Sequence, residues 1–461
     1  MKRRDIDMLN KPLLPSIISY TIPIILTGLL QLLFNAADLV VVGRYCGHLS
    51  VGAVSSTGAI TNLIVNLFIG LSVGTGVTVS HGIGSRRDDE VHKAVHTALP
   101  TALVGGAIMT VVGVCFSGTF LQWMGTTENV LPLSTTYMQI YFGGITFSMV
   151  YNFCASILRA AGDTKSPLIF LSIAGVINVL LNLFFVTVLN MNVAGVALAT
   201  TISQGISAVL VVLALMRRTD ACRLELRKLR FHKAALLKII RIGLPAGIQG
   251  SLFSISNVVV QSSVNSFGND YIVSGNGAAA NIEGFVYVAM NAFHQTAVNF
   301  IGQNLGAHKF DRVKKVFRLC MICVCVVSIT ICTAVLVFGK GLLSIYITDS
   351  PESIHWGLLR FGIVCTTYFL CGLMDVSTGS LRGMGASVVP MLISVLGVCG
   401  IRVGWNLTIF QIPQFHTLEC LYISYPISWV VTFLAQSIAF LTIFKKRRQQ
   451  DLLCQGSDTQ Q

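Results

Sequence analysis

The chain has 461 residues, of which 53% are hydrophobic and only 11% charged. Soluble domains carry about 25% charged residues, so this composition excludes an ordinary aqueous protein and indicates an all-α polytopic membrane protein. The net charge of +13 does not mark a nucleic-acid binder, because Lys and Arg gather in short segments between apolar runs with no DNA- or RNA-binding motif beside them.

Twelve apolar runs are long enough to cross about 30 Å of hydrocarbon. They lie near residues 14–43, 52–80, 95–121, 131–155, 166–189, 193–216, 236–266, 273–302, 316–346, 355–379, 387–410 and 418–444. The basic N-terminus, MKRRDIDMLNK, leads into a stretch too long for a signal peptide, so it is expected to remain as the first span. With both termini cytoplasmic, 28 of the 32 Lys and Arg residues fall on the inner side, which sets the orientation. The thirteen Cys are scattered mostly through apolar runs and read as small hydrophobes rather than a disulfide framework. Cys320, Cys323 and Cys325 cluster in such a run with no His nearby, so no metal site is expected there.

The first run carries Asp38, with Asn35 one turn earlier and Gln31 two turns earlier on roughly the same face. A carboxylate in hydrocarbon costs at least a few kcal/mol and usually faces a cavity. It is either a cation-binding switch or a shielded acid that locks two helices together. Pro23 breaks the hydrogen-bond ladder on the cytoplasmic side of that acid and predicts a kink. Gly70 and Gly74, spaced GxxxG in the second run, suit close helix packing.

The chain repeats itself. IPIILTGLLQ at 22–31 answers to LPAGIQGSLF at 244–253, with Pro23 over Pro245 at an offset of 222. GIGSRRDDEVHKAV at 82–95 lies over NLGAHKFDRVKKVF at 304–317 at the same offset. LRAAGDTKSP at 158–167 lies over LRGMGASVVP at 381–390, one residue further on. Six spans per half is an even number, so both halves insert the same way and a pseudo-two-fold axis along the membrane normal is expected. The expected division is an N-terminal lobe over 1–216, a basic cytoplasmic linker over 217–235, a C-terminal lobe over 236–446 and a cytoplasmic tail over 447–461. The linker reads as a tether beside anionic headgroups or as a regulatory segment.

From about Pro12 to Phe444 the sequence resembles the multidrug and toxin extrusion (MATE) transporters, closest to their DinF-like bacterial side. The resemblance rests on FNAADLVVVGRYCG (34–47), NLFIGLSVGTGVTVSHGIG (66–84), ILRAAGDTKSP (157–167), FIGQNLGAHKFDRVKK (300–315), GSLRGMG (379–385) and YPISW (425–429). It implies two six-helix lobes in a V-shaped, alternating-access fold in the bacterial inner membrane. It also implies an antiporter that expels bulky, often cationic compounds against inflowing H+ or Na+, with no other cofactor and with a monomer as the working unit. The family's coupling acid matches Asp38, and the polar cluster around it matches Asn178 and Thr201. Asn182 stands where some members carry a second acid, which leaves proton coupling favoured over sodium.

Independently of the family, Asn178 and Asn182 are four residues apart on one helix face, either as ligands for a hard cation or as interhelical hydrogen-bond partners. In the second half Glu283, Asp375, His294 and Arg402 fall within spans. Counting at 1.5 Å per residue puts Glu283 and Arg402 at similar depth, so an ion pair between them is expected, static or switching. His294 is either part of a proton path or a packing residue. Phe34, Tyr137, Tyr141, Phe153 and Phe285 are candidates for a cavity that takes flat organic cations through cation–π contact, or else core and lipid-facing rings. The chain has no HExxH, GxSxG or nucleotide-binding signature, so it is not expected to be an enzyme or to use ATP directly. A lipid-linked oligosaccharide flippase of the same superfamily is the alternative reading. Such proteins usually carry more than twelve helices and several cavity arginines, whereas here Arg402 alone sits deep in a span.

Overall fold

The computed structural model describes residues 5–348 and 350–458, which form helices without a strand among them. The helices are α1 (Leu13–Tyr45), α2 (His48–Gly84), α3 (Asp88–Trp123), α4 (Leu131–Gly143), α5 (Ile145–Ala160), α6 (Lys165–Leu183) and α7 (Asn192–Met216). They continue with α8 (Lys233–Asn265), α9 (Asp270–Gly306), α10 (Phe310–Tyr346), α11 (Pro351–Gly383), α12 (Val388–Ser394), α13 (Ile401–Leu407) and α14 (Leu418–Asp458).

Among the described residues, ten spans are long and apolar enough to cross a membrane, and α4 with α5 makes an eleventh if that pair, bent by 44°, counts as one. The remaining expected span is α9, which is 37 residues long but less apolar, because Asn, Gly, Ser, Gln and His recur along it. Two spans are interrupted by π-helical turns. Phe184–Val188 follows α6, and Val395–Gly400 separates α12 from α13. Such turns displace the hydrogen-bond ladder and recur at functional sites.

The chain divides into two compact units, Met1–Asp7 with Ile22–Ile248 and Met8–Thr21 with Gln249–Gln461. The division therefore falls inside α1 and α8 rather than at the linker. Residues 217–235 belong to the first unit and pack against it. Cys222 and Leu224 are buried in its apolar core, the Leu224 amide donates to Leu215 at 3.1 Å, and the Arg230 amide donates to the His96 carbonyl at 3.3 Å. Arg218 meets the carboxylates of Asp5 and Asp220 in the same unit.

The sequence repeat reappears as repeated helix endings. α5 closes with Gly162 at φ 98° and α11 with Gly385 at φ 79°. In each, the glycine amide donates three residues back, to Arg159 and Arg382, and the next amide donates five back, to Leu158 and Leu381. This is the Schellman pattern, whose left-handed residue favours glycine. Arg86 and His308 take the same role after α2 and α9, at φ 54° and 58°, without that glycine.

Candidate functional site

In the first unit, α6 brings one amide onto an acid on α1 and a second amide beside the first. Asn178 and Asn182 lie one turn apart and are both buried, as the i, i+4 spacing predicts. Asp38 is 9% exposed. Asn182 Nδ2 donates to Asp38 Oδ1 and also to Asn178 Oδ1, the latter at 3.3 Å. From α7, Thr200 Oγ1 donates to Asp38 Oδ2 at 3.3 Å and accepts from Asn178 Nδ2 at 3.4 Å. No Lys, Arg or His pairs with Asp38 among the described residues. Asn182 Oδ1 is sealed and has no hydrogen-bond partner among the described residues. The acid is thus held by uncharged donors on two helices, next to the π turn that ends α6. This geometry can exchange a proton. A flipped Asn182 amide would offer its oxygen to a protonated Asp38, as the present orientation offers its nitrogen to the carboxylate.

In the second unit the buried charges form two groups. Arg360 on α11 donates from Nε to Glu283 Oε1 at 2.8 Å and from a terminal nitrogen to Glu283 Oε2 at 2.6 Å. Its other terminal nitrogen donates to Asn276 Oδ1 at 2.7 Å, which also accepts from the Tyr422 hydroxyl at 3.0 Å. In the second group His294 Nδ1 donates to the Asp375 carbonyl at 2.8 Å, and His294 Nε2 accepts from Arg382 at 3.3 Å. That pattern fixes the neutral Nδ1–H tautomer, since a proton on Nε2 would face a guanidinium. Arg382 also donates to Gln249 Oε1 at 2.8 Å. Asp375 Oδ2 is sealed and has no hydrogen-bond partner among the described residues.

Arg402, on α13 just past the second π turn, does not pair with Glu283. Its Nε donates to Ser428 Oγ at 3.2 Å, and its guanidinium stacks 4.1 Å over Tyr425 and 5.7 Å from Trp429. The expected Glu283–Arg402 pair is therefore replaced by Glu283–Arg360. Stacking on an aromatic ring returns about 0.5–2 kcal/mol. Removing an ion from water costs several kcal/mol, so two rings and one hydroxyl only partly compensate Arg402.

The MatE family profile matches this chain twice, over residues 23–184 and 245–408. The chain belongs to the MatE family. The two matches begin at Pro23 and Pro245, the residues aligned by the internal repeat. Among relatives, the sequence is 26% identical over 440 residues to the Bacillus subtilis "Probable multidrug resistance protein YoeA", covering 93% of this chain and 94% of the relative. It is 30% identical over 400 residues to "Probable multidrug resistance protein YpnP" of the same organism, covering 86% and 88%. Among solved structures, an outward-facing multidrug resistance MATE family transporter of the MOP superfamily superposes with a TM-score of 0.90 at 18% identity, over 97% of this chain and all of that one. Likeness at that identity speaks for the MATE fold alone. Members of the MatE family are transporters, so the chain is a multi-pass membrane transporter and not an enzyme.

The remaining sequence candidates of this MatE chain fall in several places. Thr201 does not reach Asp38. It turns the other way, donates to the Ile140 carbonyl at 3.3 Å and fills the notch at Gly144 where α4 bends into α5. Asn35 and Gln31 are exposed on α1 and lie outside the bonded set around the carboxylate. The Phe34 ring lies in the notch left by Gly175 on α6. Tyr137 packs against Val41, Val42, Val186 and Val196 and stacks on Tyr141, with ring centroids 6.4 Å apart. Phe153 is fully buried in the first unit's apolar core, so it lines no cavity. Phe285 is half-buried on α9. Thr200, Arg360, Asn276 and Tyr422 were not among the candidates. A pair of adjacent threonines signalled the first, and an arginine within a span signalled the second.

Proposed function

We propose that this MatE transporter is a secondary antiporter. It exports drug-like or metabolite compounds, organic cations among them, in exchange for protons bound at Asp38, by alternating access. The observation that carries this reading is a buried carboxylate held by Asn182 and Thr200, with Asn178 bonded to both of them, and without a basic partner among the described residues. A permanent salt bridge would fix its charge, whereas amides and a hydroxyl serve either protonation state. The proposed setting is the bacterial cytoplasmic membrane with both termini inside, and one chain carrying both repeats is the working unit.

The test is ethidium efflux from proteoliposomes under a proton gradient and a sodium gradient imposed separately, with Asp38→Asn as control. Efflux driven by the proton gradient and lost in the variant supports the proposal. Efflux driven by sodium alone would replace the ion and keep the exchange. Absence of efflux under either gradient, from protein with a cooperative melt, would overturn the export of cations.

A further inference from the structure

The second unit buries three arginines, and their surroundings differ. Arg360 is neutralised by Glu283. Arg382 has Asp375 close enough to answer its charge, together with Gln249 and His294 as acceptors. Arg402 is 5% exposed, yet no carboxylate lies within 4 Å of it among the described residues. Its terminal nitrogens donate to no protein oxygen in the described residues, and they are not among the sealed, unsatisfied side-chain atoms. Tyr425, Ser428 and Trp429, from the YPISW stretch of α14, supply its contacts. Tyr368 extends the aromatic surface, 5.3 Å from Trp429.

We propose that Arg402, with Tyr425 and Trp429, is a binding site for the anionic group of an aromatic compound, a carboxylate or sulfonate carried on a flat ring. The two free terminal nitrogens form a fork that matches a carboxylate in two parallel hydrogen bonds. Tyr425 holds the guanidinium plane from one face, and Trp429, itself buried, backs it at 5.7 Å. The uncompensated charge on Arg402 then becomes the source of affinity. This deepens the export reading, on which it rests, by naming the side chain that would hold the anionic group of an exported aromatic compound. The first unit contributes an acid at Asp38 and the second a base at Arg402.

The test is calorimetric titration of the full chain in nanodiscs of zwitterionic lipid with 2-naphthoate, 2-naphthamide and 2-naphthylmethylammonium. The acid is expected to bind about tenfold or more tightly than the isosteric amide, as charge-assisted paired hydrogen bonds require. In Arg402→Gln that ratio should fall to near one while binding of the ammonium compound is unchanged. Arg402→Lys keeps the charge and loses the fork. It should weaken 2-naphthoate several-fold, and it serves as the second variant if the first misfolds. Equal binding of acid and amide to the wild type, a ratio preserved in Arg402→Gln or undiminished affinity in Arg402→Lys would each overturn the proposal. So would absence of 2-naphthoate binding by folded protein. No gradient enters this measurement, so failed ethidium efflux would defeat the export reading and leave a positive binding result standing.

Discussion

Arg360 meets both carboxylate oxygens of Glu283, at 2.8 and 2.6 Å, across 77 residues of sequence and with both side chains nearly sealed. Removing one member of such a pair leaves an uncompensated charge and costs about 3–5 kcal/mol, whereas replacing both by apolar residues is often neutral. Glu283→Gln should therefore lower the melting temperature of the purified transporter sharply, and Arg360→Met added to it should restore most of the loss. Combining Glu283→Gln with Arg402→Met should restore none. Rescue by Arg402→Met instead of Arg360→Met in a thermal melt would contradict the pairing.

The same pair marks how far the sequence could be read. Duplication, spans and the Asp38–Asn178–Asn182 grouping were legible, because helical spacing and a repeat offset are one-dimensional signals. The partner of Glu283 was not. Counting depth from apolar-run boundaries left Arg360 near a membrane edge, but α11 begins at Pro351, so Arg360 lies about 14 Å along it at 1.5 Å per residue. Rotation about a helix was equally hidden. Thr200 and Thr201 are chemically identical and point about 100° apart, and only packing at Gly144 decides which one faces Asp38. Phe153 was read as a cavity candidate because an aromatic on a helix has the same pattern whether it faces a cavity or a core.

Asp38→Asn keeps the shape of the acid and removes its ability to titrate. Coupled efflux should be lost while the folded fraction and melting temperature stay within the range of the wild type, because the new amide oxygen still accepts from Thr200 and its NH2 can donate to the oxygen of a flipped Asn182. Efflux in proteoliposomes and a melt on the same preparation check the two halves of this expectation. Unchanged efflux would remove Asp38 from the coupling step.

The two adjacent threonines give an internal control. Thr200→Val deletes a donor to Asp38 and an acceptor for Asn178, and should reduce proton-driven efflux several-fold or shift its pH profile. Thr201→Val deletes one hydrogen bond, to the Ile140 carbonyl, and keeps the branched shape that fills the notch at Gly144. It should cost about 1 kcal/mol of stability, the net worth of an ordinary hydrogen bond, with the pH profile of efflux unaltered. A pH shift in the second variant and none in the first would reverse the assignment.

Within the first unit, α2 and α8 approach backbone to backbone where two GxxxG pairs meet. A Cβ on Gly70 would lie 2.1 Å from the Gly247 nitrogen, and one on Gly247 would lie 2.2 Å from the Leu67 carbonyl oxygen. Neither obstacle is a flexible side chain, so Gly70→Ala and Gly247→Ala should each destabilise the transporter or force the helices apart. Gly58, on the same helix α2, has nothing within 4 Å of its would-be Cβ. Gly58→Ala should therefore be neutral or stabilising by up to about 1 kcal/mol, the intrinsic helix preference for alanine. Opposite signs in thermal melts for Gly70 and Gly58 are the expected outcome.

The linker offers a chemical readout of its packing. Arg218 ties Asp5 and Asp220 together, and Asp220 accepts from the Cys222 amide at 3.1 Å. Burial, with the Asp220 charge adding to it, pushes the Cys222 thiol up to about 12. At pH 8 about one thiol in ten thousand is then thiolate, against roughly a quarter for an ordinary cysteine. Native Cys222 should resist a maleimide probe at pH 8, with labelling rising about tenfold per pH unit below the titration point. Arg218→Ala releases both aspartates and should loosen the segment, raising the labelling rate of the Cys222 peptide by up to roughly 10³-fold, the ratio of the two thiolate fractions. Mass spectrometry of that peptide distinguishes this from reaction at other cysteines. Equal rates in the two proteins would mean that the apolar contacts of Cys222 and Leu224 hold the linker without the ion pairs.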